Sequence, residues 1–198
     1  EAISVNTTNG TPQLTLETGT TDVLVGYSSG TGTNVLTFNY TVAEGHVSSD
    51  LDYTATNALG LNSGTIQDGA GNNAILTLAA PGETNSLAAS ADIVLDGTIP
   101  YLMSVNSALS NGHYNEGDVI PIQVNFSEQM AVTGSPQLTL EFGDIDYPAT
   151  YNSGSGSNQL IFNFTVLAGN MSNDLDYSNT SSLSLNGGTI TDIAGNAA

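Results

Sequence analysis

One block of sequence occurs twice, in constant register and without a gap. GTPQLTLETG (10–19) returns as GSPQLTLEFG (134–143), NVLTFNYTV (34–42) as NQLIFNFTV (158–166), and LNSGTIQDGAGNNA (61–74) as LNGGTITDIAGNAA (185–198). Across 10–74 and 134–198, 37 of 65 positions are identical at an offset of 124. Such a duplication restricts the fold to one in which a single supersecondary unit is built twice. Glu1 aligns with Glu128 once three extra residues are allowed before Gly10, so a full repeat is expected near 127 residues. On that reading the chain holds about one and a half repeats. The first has no counterpart of 101–127, and the second none of 75–97.

Within a unit the apolar period is two. Leu160, Phe162, Phe164 and Val166 share one side of a strand, as do Leu36, Phe38, Tyr40 and Val42, and Ile120, Ile122, Val124 and Phe126 form a third set. Alternation of this kind marks strands with one face in a core. Pro121 suits a strand start or an edge, because it cannot donate to a ladder. The Gly-, Ser- and Asn-rich stretches SSGTGTN (28–34) and NSGSGSN (152–158) read as hairpin loops. No segment carries a helical stripe. The fold class is therefore all-β, with tandem antiparallel sandwiches of immunoglobulin-like or cadherin-like type. DGTIP (96–100) reads as a short stiff linker, which predicts a first repeat over 1–98, lacking its N-terminal strands, and a second over 99–198, lacking its C-terminal strands.

Charge narrows the function. The chain has 19 Asp and Glu, no Lys or Arg, and a net charge of −19. Its carboxylates can be solvated, hydrogen-bonded or neutralised by a bound cation, but they cannot pair with a lysine or arginine. Nothing in the chain can displace counterions from phosphate, which argues against nucleic acid and anionic membranes as partners. No apolar run reaches the length of a membrane span. With no cysteine for a disulfide, a metal is a plausible alternative staple in a secreted chain.

The acidic residues that repeat are the best ligand candidates. SSDLDY (48–53) and SNDLDY (172–177) supply Asp50 with Asp52, and Asp174 with Asp176. Residues two apart on an extended segment project to the same side, so each pair can converge on one ion. Calcium suits such oxygen donors and takes six to eight of them. TIQDGAGN and TITDIAGN offer Asp68 with Asn72 and Asp192 with Asn196, although D-x-x-G-N is equally the composition of a tight turn. Glu1 and Glu128 follow apolar strands near a domain pole, Asp96 lies in the linker, and Asp118 lies in a loop. Each of these is as readily a solvated surface acid. His46 and His113 are unrepeated and too few for a zinc site. No nucleophile elbow occurs, and paired carboxylates duplicated in each unit suit structure better than glycoside hydrolysis.

GHYNEGDVIPIQVNFSEQMAVTGSPQLTLEFG, YNSGSGSNQLIFNFTVLAGNMSNDLDY, LSLNGGTITDIAGN and ADIVLDGTIP together resemble the tandem cadherin-like or bacterial immunoglobulin-like repeats of giant bacterial cell-surface adhesins, including the type named after a swimming-associated surface protein. That resemblance implies a non-enzymatic extender at the cell surface, stiffened by Ca2+ near inter-repeat junctions, with Asp50, Asp52, Asp68, Asp96, Glu128, Asp174, Asp176 and Asp192 as ligands. The implied partners are neighbouring repeats of the same or an identical chain. The linker LDGTIP departs from the more usual Asp followed by two threonines before Pro. An alternative expectation is an extracellular filament or surface-layer subunit, a homopolymer joined head to tail by strand complementation.

Overall fold

A computed structural model describes residues 1–143 and 145–198. Among them every regular element is a β-strand, and the strands form several antiparallel sheets, as in a β-sandwich. The chain divides into two compact units, Glu1–Thr98 and Ile99–Ala198.

The second unit is the more complete. Its elements are β9 (Leu102–Asn106), β10 (Val119–Thr133), β11 (Gln137–Leu140), β12 (Tyr147–Ser153), β13 (Ser157–Thr165), β14 (Leu183–Ser184) and β15 (Thr189–Asp192). They hydrogen-bond in the order β14-β11-β12-β13-β10-β15, with β9 also on β10. The long strand β10 joins two ladders across an irregularity between Asn125 and Met130. Its front half pairs with β13 and β9, and its back half, Met130–Thr133, pairs with β15. Every second residue of the front half points inward, and Ile122, Val124 and Phe126 meet Leu160, Phe162 and Phe164 in one buried cluster that also holds Met130, Leu138, Leu140 and Ile190. The expected period of two thus places these side chains in the core. Pro121, third in β10, sits near the strand start as expected.

In the first unit, the repeated blocks give β2 (Gln13–Leu16), β3 (Val23–Ser29), β4 (Thr37–Phe38), β6 (Leu59–Gly60) and β7 (Thr65–Asp68), the counterparts of β11, β12, β13, β14 and β15. The strand β1 (Ile3–Asn6) pairs with β7 as the back half of β10 pairs with β15. Residues 1–98 contain no counterpart of Val119–Asn125, and two consequences follow. The ladders stay separate, as β4-β3-β2-β6 and β1-β7. The NVLTFNYTV block is ladder-paired over only 2 residues in β4, whereas its near-copy forms the 9-residue β13.

The hairpin loops between these strands need glycine at one shared position. Gly30 and Gly154 have φ of 115° and 110°, a region closed to residues with a Cβ. An added methyl would also strike the carbonyl oxygen of Val35 or Gln159.

The first unit has its own closing segment. After β7 the chain runs through a series of turns and returns as β8 (Leu95–Asp96), which pairs with β5 (Val47–Ser48). Leu78, Leu87, Ile93 and Leu95 from this segment pack on Leu16, Val25, Leu51 and Tyr53.

Candidate carboxylate sites

Asp52 is the most deeply engaged acid of the first unit. Its Oδ1 accepts the backbone N–H of Tyr53 at 2.8 Å and of Leu87 at 3.2 Å, its Oδ2 accepts the N–H of Gly82 at 2.9 Å, and the Ser86 side chain adds a fourth hydrogen bond. A carboxylate has about four lone-pair sites, and these four donors are about as many as it can accept. Asp50, exposed, accepts the N–H of Ile93 at 3.3 Å. Leu51 between them donates its N–H to the Ile93 carbonyl at 2.7 Å, and the Tyr53 hydroxyl donates to the Ala79 carbonyl at 2.7 Å. In the first unit the two aspartates of DLDY accept hydrogen bonds from separate stretches of chain. They grip two different parts of the returning 79–93 segment, because a turn-rich segment presents unpaired N–H groups that a buried carboxylate can satisfy.

The second DLDY has the same sequence and a different environment. Asp174 and Asp176 are exposed, and among the described residues the Asp176 carboxylate accepts a local bond, from the Tyr177 N–H at 2.8 Å. Residues 99–198 hold no counterpart of 79–93 to occupy it.

Asp68 and Asp192 form matching turns. In each, Oδ1 accepts the backbone N–H four residues on at 2.8 Å and Oδ2 accepts that asparagine's side-chain amide at 2.7 Å, from Asn72 and Asn196 respectively. Gly71 and Gly195 take positive φ inside the turn. The turn expected from D-x-x-G-N is formed in both copies. Asp192 also has a carboxylate neighbour: one of its oxygens and one of Glu128, which lies in β10, are within 4.8 Å of each other. Asp192 is buried and Glu128 half-buried. Two carboxylates this close repel when both are ionised, which a proton on one of them or a bound cation would offset. Asp192 also keeps acceptor capacity beyond its two bonds to Asn196. Of the expected ligands in the second unit, Glu128 and Asp192 are a pair whose carboxylate oxygens lie together.

Asp96 ends β8 in the first unit and accepts the Thr98 N–H at 3.1 Å, while Asp118 accepts the Asn115 N–H at 2.7 Å. His46 Nδ1 accepts the Ala43 N–H at 3.2 Å and lies 2.8 Å from the Tyr40 hydroxyl.

Sequence reasoning missed Gly82, Ser86 and Leu87 as partners of Asp52. The available signal was that 75–97 is unrepeated yet carries Leu78, Leu87, Ile93 and Leu95, too much apolar surface for a free loop. No family model, no curated protein and no solved structure matches the chain.

The titration of Asp52 and of Asp68 is shifted. Burial by itself would raise the Asp52 carboxyl, but the hydrogen bonds from Gly82, Tyr53, Ser86 and Leu87 outweigh it and hold the group below its ordinary value. The Asn72 side chain, followed by backbone N–H groups of the turn, does the same for Asp68. Burial and then the Asp52 charge raise the Tyr53 phenol. A carboxyl whose folded pKa is depressed contributes stability that is present above its unfolded value, about 4, and lost as pH falls through the folded value. A raised phenol acts at the other end, its contribution being lost above about pH 10. Amide protection of 79–93, corrected for intrinsic exchange, should therefore hold from about pH 5 to 9 and fall below about pH 4, ahead of protection in 119–126. Simultaneous loss in both segments would show that Asp52 is not the acid-sensitive group.

Proposed function

We propose that the chain is a non-enzymatic extender from a bacterial cell-surface protein, built of immunoglobulin-like or cadherin-like repeats and stiffened by Ca2+ near repeat boundaries. The observation that carries this reading is the duplication in both sequence and element order: 37 of 65 identities, with five strands of each unit at matching positions. Duplicated units serve reach and stiffness, since each copy adds length without adding new chemistry. The charge of −19 supports an extracellular setting, where millimolar calcium is available to offset repulsion between carboxylates such as Glu128 and Asp192.

The test is a thermal melt with calcium against excess chelator. An extracellular site with Kd of about 10⁻⁴–10⁻³ M would gain about 1.4–2.7 kcal/mol at 10 mM ion, roughly 5–15 °C for a unit of this size. Glu128→Gln with Asp192→Asn should abolish the shift, and Asp174→Asn with Asp176→Asn should leave most of it. A melting temperature indifferent to calcium would remove the ion from the account. A shift lost only in the Asp174/Asp176 variant would move the site to DLDY.

A further inference from the structure

We propose that Asn111, in the loop between β9 and β10, is a site of spontaneous covalent modification, at which asparagine converts to a mixture of aspartate and isoaspartate. Asparagine is among the thermolabile side chains. The chain contains three Asn-Gly pairs, Asn9 with Gly10, Asn111 with Gly112 and Asn186 with Gly187. Glycine is the following residue that least obstructs the conversion, because it has no Cβ beside the attacking nitrogen. All three asparagines are exposed. Exposure therefore does not choose among them, and the hydrogen bonds that tie each pair do.

The first and third pairs are held. Gly10 donates its N–H to the Thr7 carbonyl at 3.3 Å, and it packs so closely that an added methyl would strike the Asn62 carbonyl oxygen. Asn186 and Gly187 are the middle of a turn closed by the Gly188 N–H on the Leu185 carbonyl at 2.8 Å, and both take positive φ, 47° and 76°. The Asn186 side-chain amide also donates to the Ser135 carbonyl at 3.1 Å, which fixes its carboxamide. Asn111 differs on each count. Residues 106–119 are exposed without a break, and among the described residues neither Asn111 nor Gly112 makes a hydrogen bond. A methyl on Gly112 would meet only the Ser110 carbonyl oxygen, at 4.0 Å. The loop is tied on either side of the pair: the Ser107 hydroxyl donates to the Pro121 carbonyl at 2.8 Å, the Tyr114 hydroxyl to the Ser110 carbonyl at 2.6 Å, and the Gly117 N–H to the Val166 carbonyl at 2.9 Å.

The conversion needs no enzyme and no co-reactant except water. The Gly112 nitrogen, having lost its proton to base, attacks Cγ of Asn111. The new bond closes a succinimide ring, and the bond from Cγ to Nδ2 breaks, with Nδ2 leaving as ammonia on taking up a proton. Water then opens the ring at either carbonyl. Opening at the backbone carbonyl leaves the chain running through the side chain, an isoaspartate with one extra backbone carbon, and opening at the other leaves an ordinary aspartyl linkage. Either product adds a negative charge to a loop that already carries Glu116 and Asp118. Exposed loop tips of this kind tolerate such a change in the backbone.

The test is ageing of the whole 198-residue chain in mildly alkaline buffer, followed by peptide mass mapping. Cleavage after glutamate separates the three pairs, into 2–17, 84–116 and 142–198, which trypsin cannot do in a chain without Lys or Arg. The 84–116 peptide is expected to gain the mass difference between an amide and a carboxyl group several-fold faster than the other two, with fragmentation placing the change at Asn111. Gly112→Ala should slow the gain and Asn111→Gln abolish it. In urea, where the ties at Gly10 and Asn186 are lost, the three rates should converge. Equal rates in the folded chain, a lead by Asn9 or Asn186, or an Asn111 that stays intact overturns the proposal. A lead by Asn111 that persists undiminished in urea would assign the difference to local sequence and overturn it as well. None of these readouts depends on calcium, so failure here and failure of the calcium melt are separable.

Discussion

Asp52→Ala should destabilise the first unit by about 3–5 kcal/mol, while Asp176→Ala should change the second by less than about 0.5 kcal/mol. The two aspartates occupy the same place in identical DLDY motifs, so propensity and local sequence predict no difference. The difference lies in what would be left behind. Without the Asp52 carboxylate, the N–H groups of Gly82 and Leu87 and the Ser86 hydroxyl lose their acceptor inside a packed segment. Each buried donor left without an acceptor costs about 1–3 kcal/mol. Among the described residues no buried side-chain polar atom lacks a partner, so the loss is not masked by existing defects. Asp176 leaves one local backbone N–H, which water can satisfy. Hydrogen exchange read by peptide separates the units. Equal losses in the two variants would refute the clamp.

Phe162→Ala is expected to cost about 3–5 kcal/mol, and Phe38→Ala about 1–2 kcal/mol. This pair is internally controlled as well. Each phenylalanine meets the corresponding tyrosine edge-on, Phe162 with Tyr151 at 5.9 Å and 71°, Phe38 with Tyr27 at 6.2 Å and 77°. Those aromatic contacts cancel in the comparison. What remains is burial: Phe162 is 0% exposed, paired beside Ile122 of β10 in the buried cluster, whereas Phe38 is half-buried and no described strand of residues 1–98 pairs alongside it as β10 does. Truncation in a closed core leaves a cavity, and truncation at a half-open face does not. Urea unfolding followed by exchange in each unit measures the two costs, and a Phe38→Ala cost equal to that of Phe162→Ala would mean that the first unit's core is closed by some other means.

Much of the scaffold was legible because alternation and turn chemistry are local. The inward set Ile122, Val124, Phe126, Leu160, Phe162 and Phe164 follows from a period of two, and the loops at 28–34 and 152–158 follow from glycine. The acidic residues were legible as a set, but their roles were not. A carboxylate is chemically the same whether it meets a cation, water or a backbone N–H, and only the neighbours distinguish these. Asp68 and Asp192 could be narrowed to turn or ligand from D-x-x-G-N, since their partners lie four residues away. Asp52 could not, because Gly82 and Leu87 lie 30 and 35 residues on.

By itself the sequence determined the duplication, the all-β class, the inward faces of β10 and β13 and the exclusion of any ion pair with Lys or Arg. Tertiary structure alone decided that NVLTFNYTV stays ladder-paired over two residues while NQLIFNFTV extends into a nine-residue strand, and that one DLDY clamps a segment while the other faces solvent. The physical reason is that a strand and a buried carboxylate are both completed from outside themselves. A strand's hydrogen bonds and a carboxylate's donors are supplied by distant chain, so near-identical sequences take different states wherever that chain is supplied to one unit and not to the other.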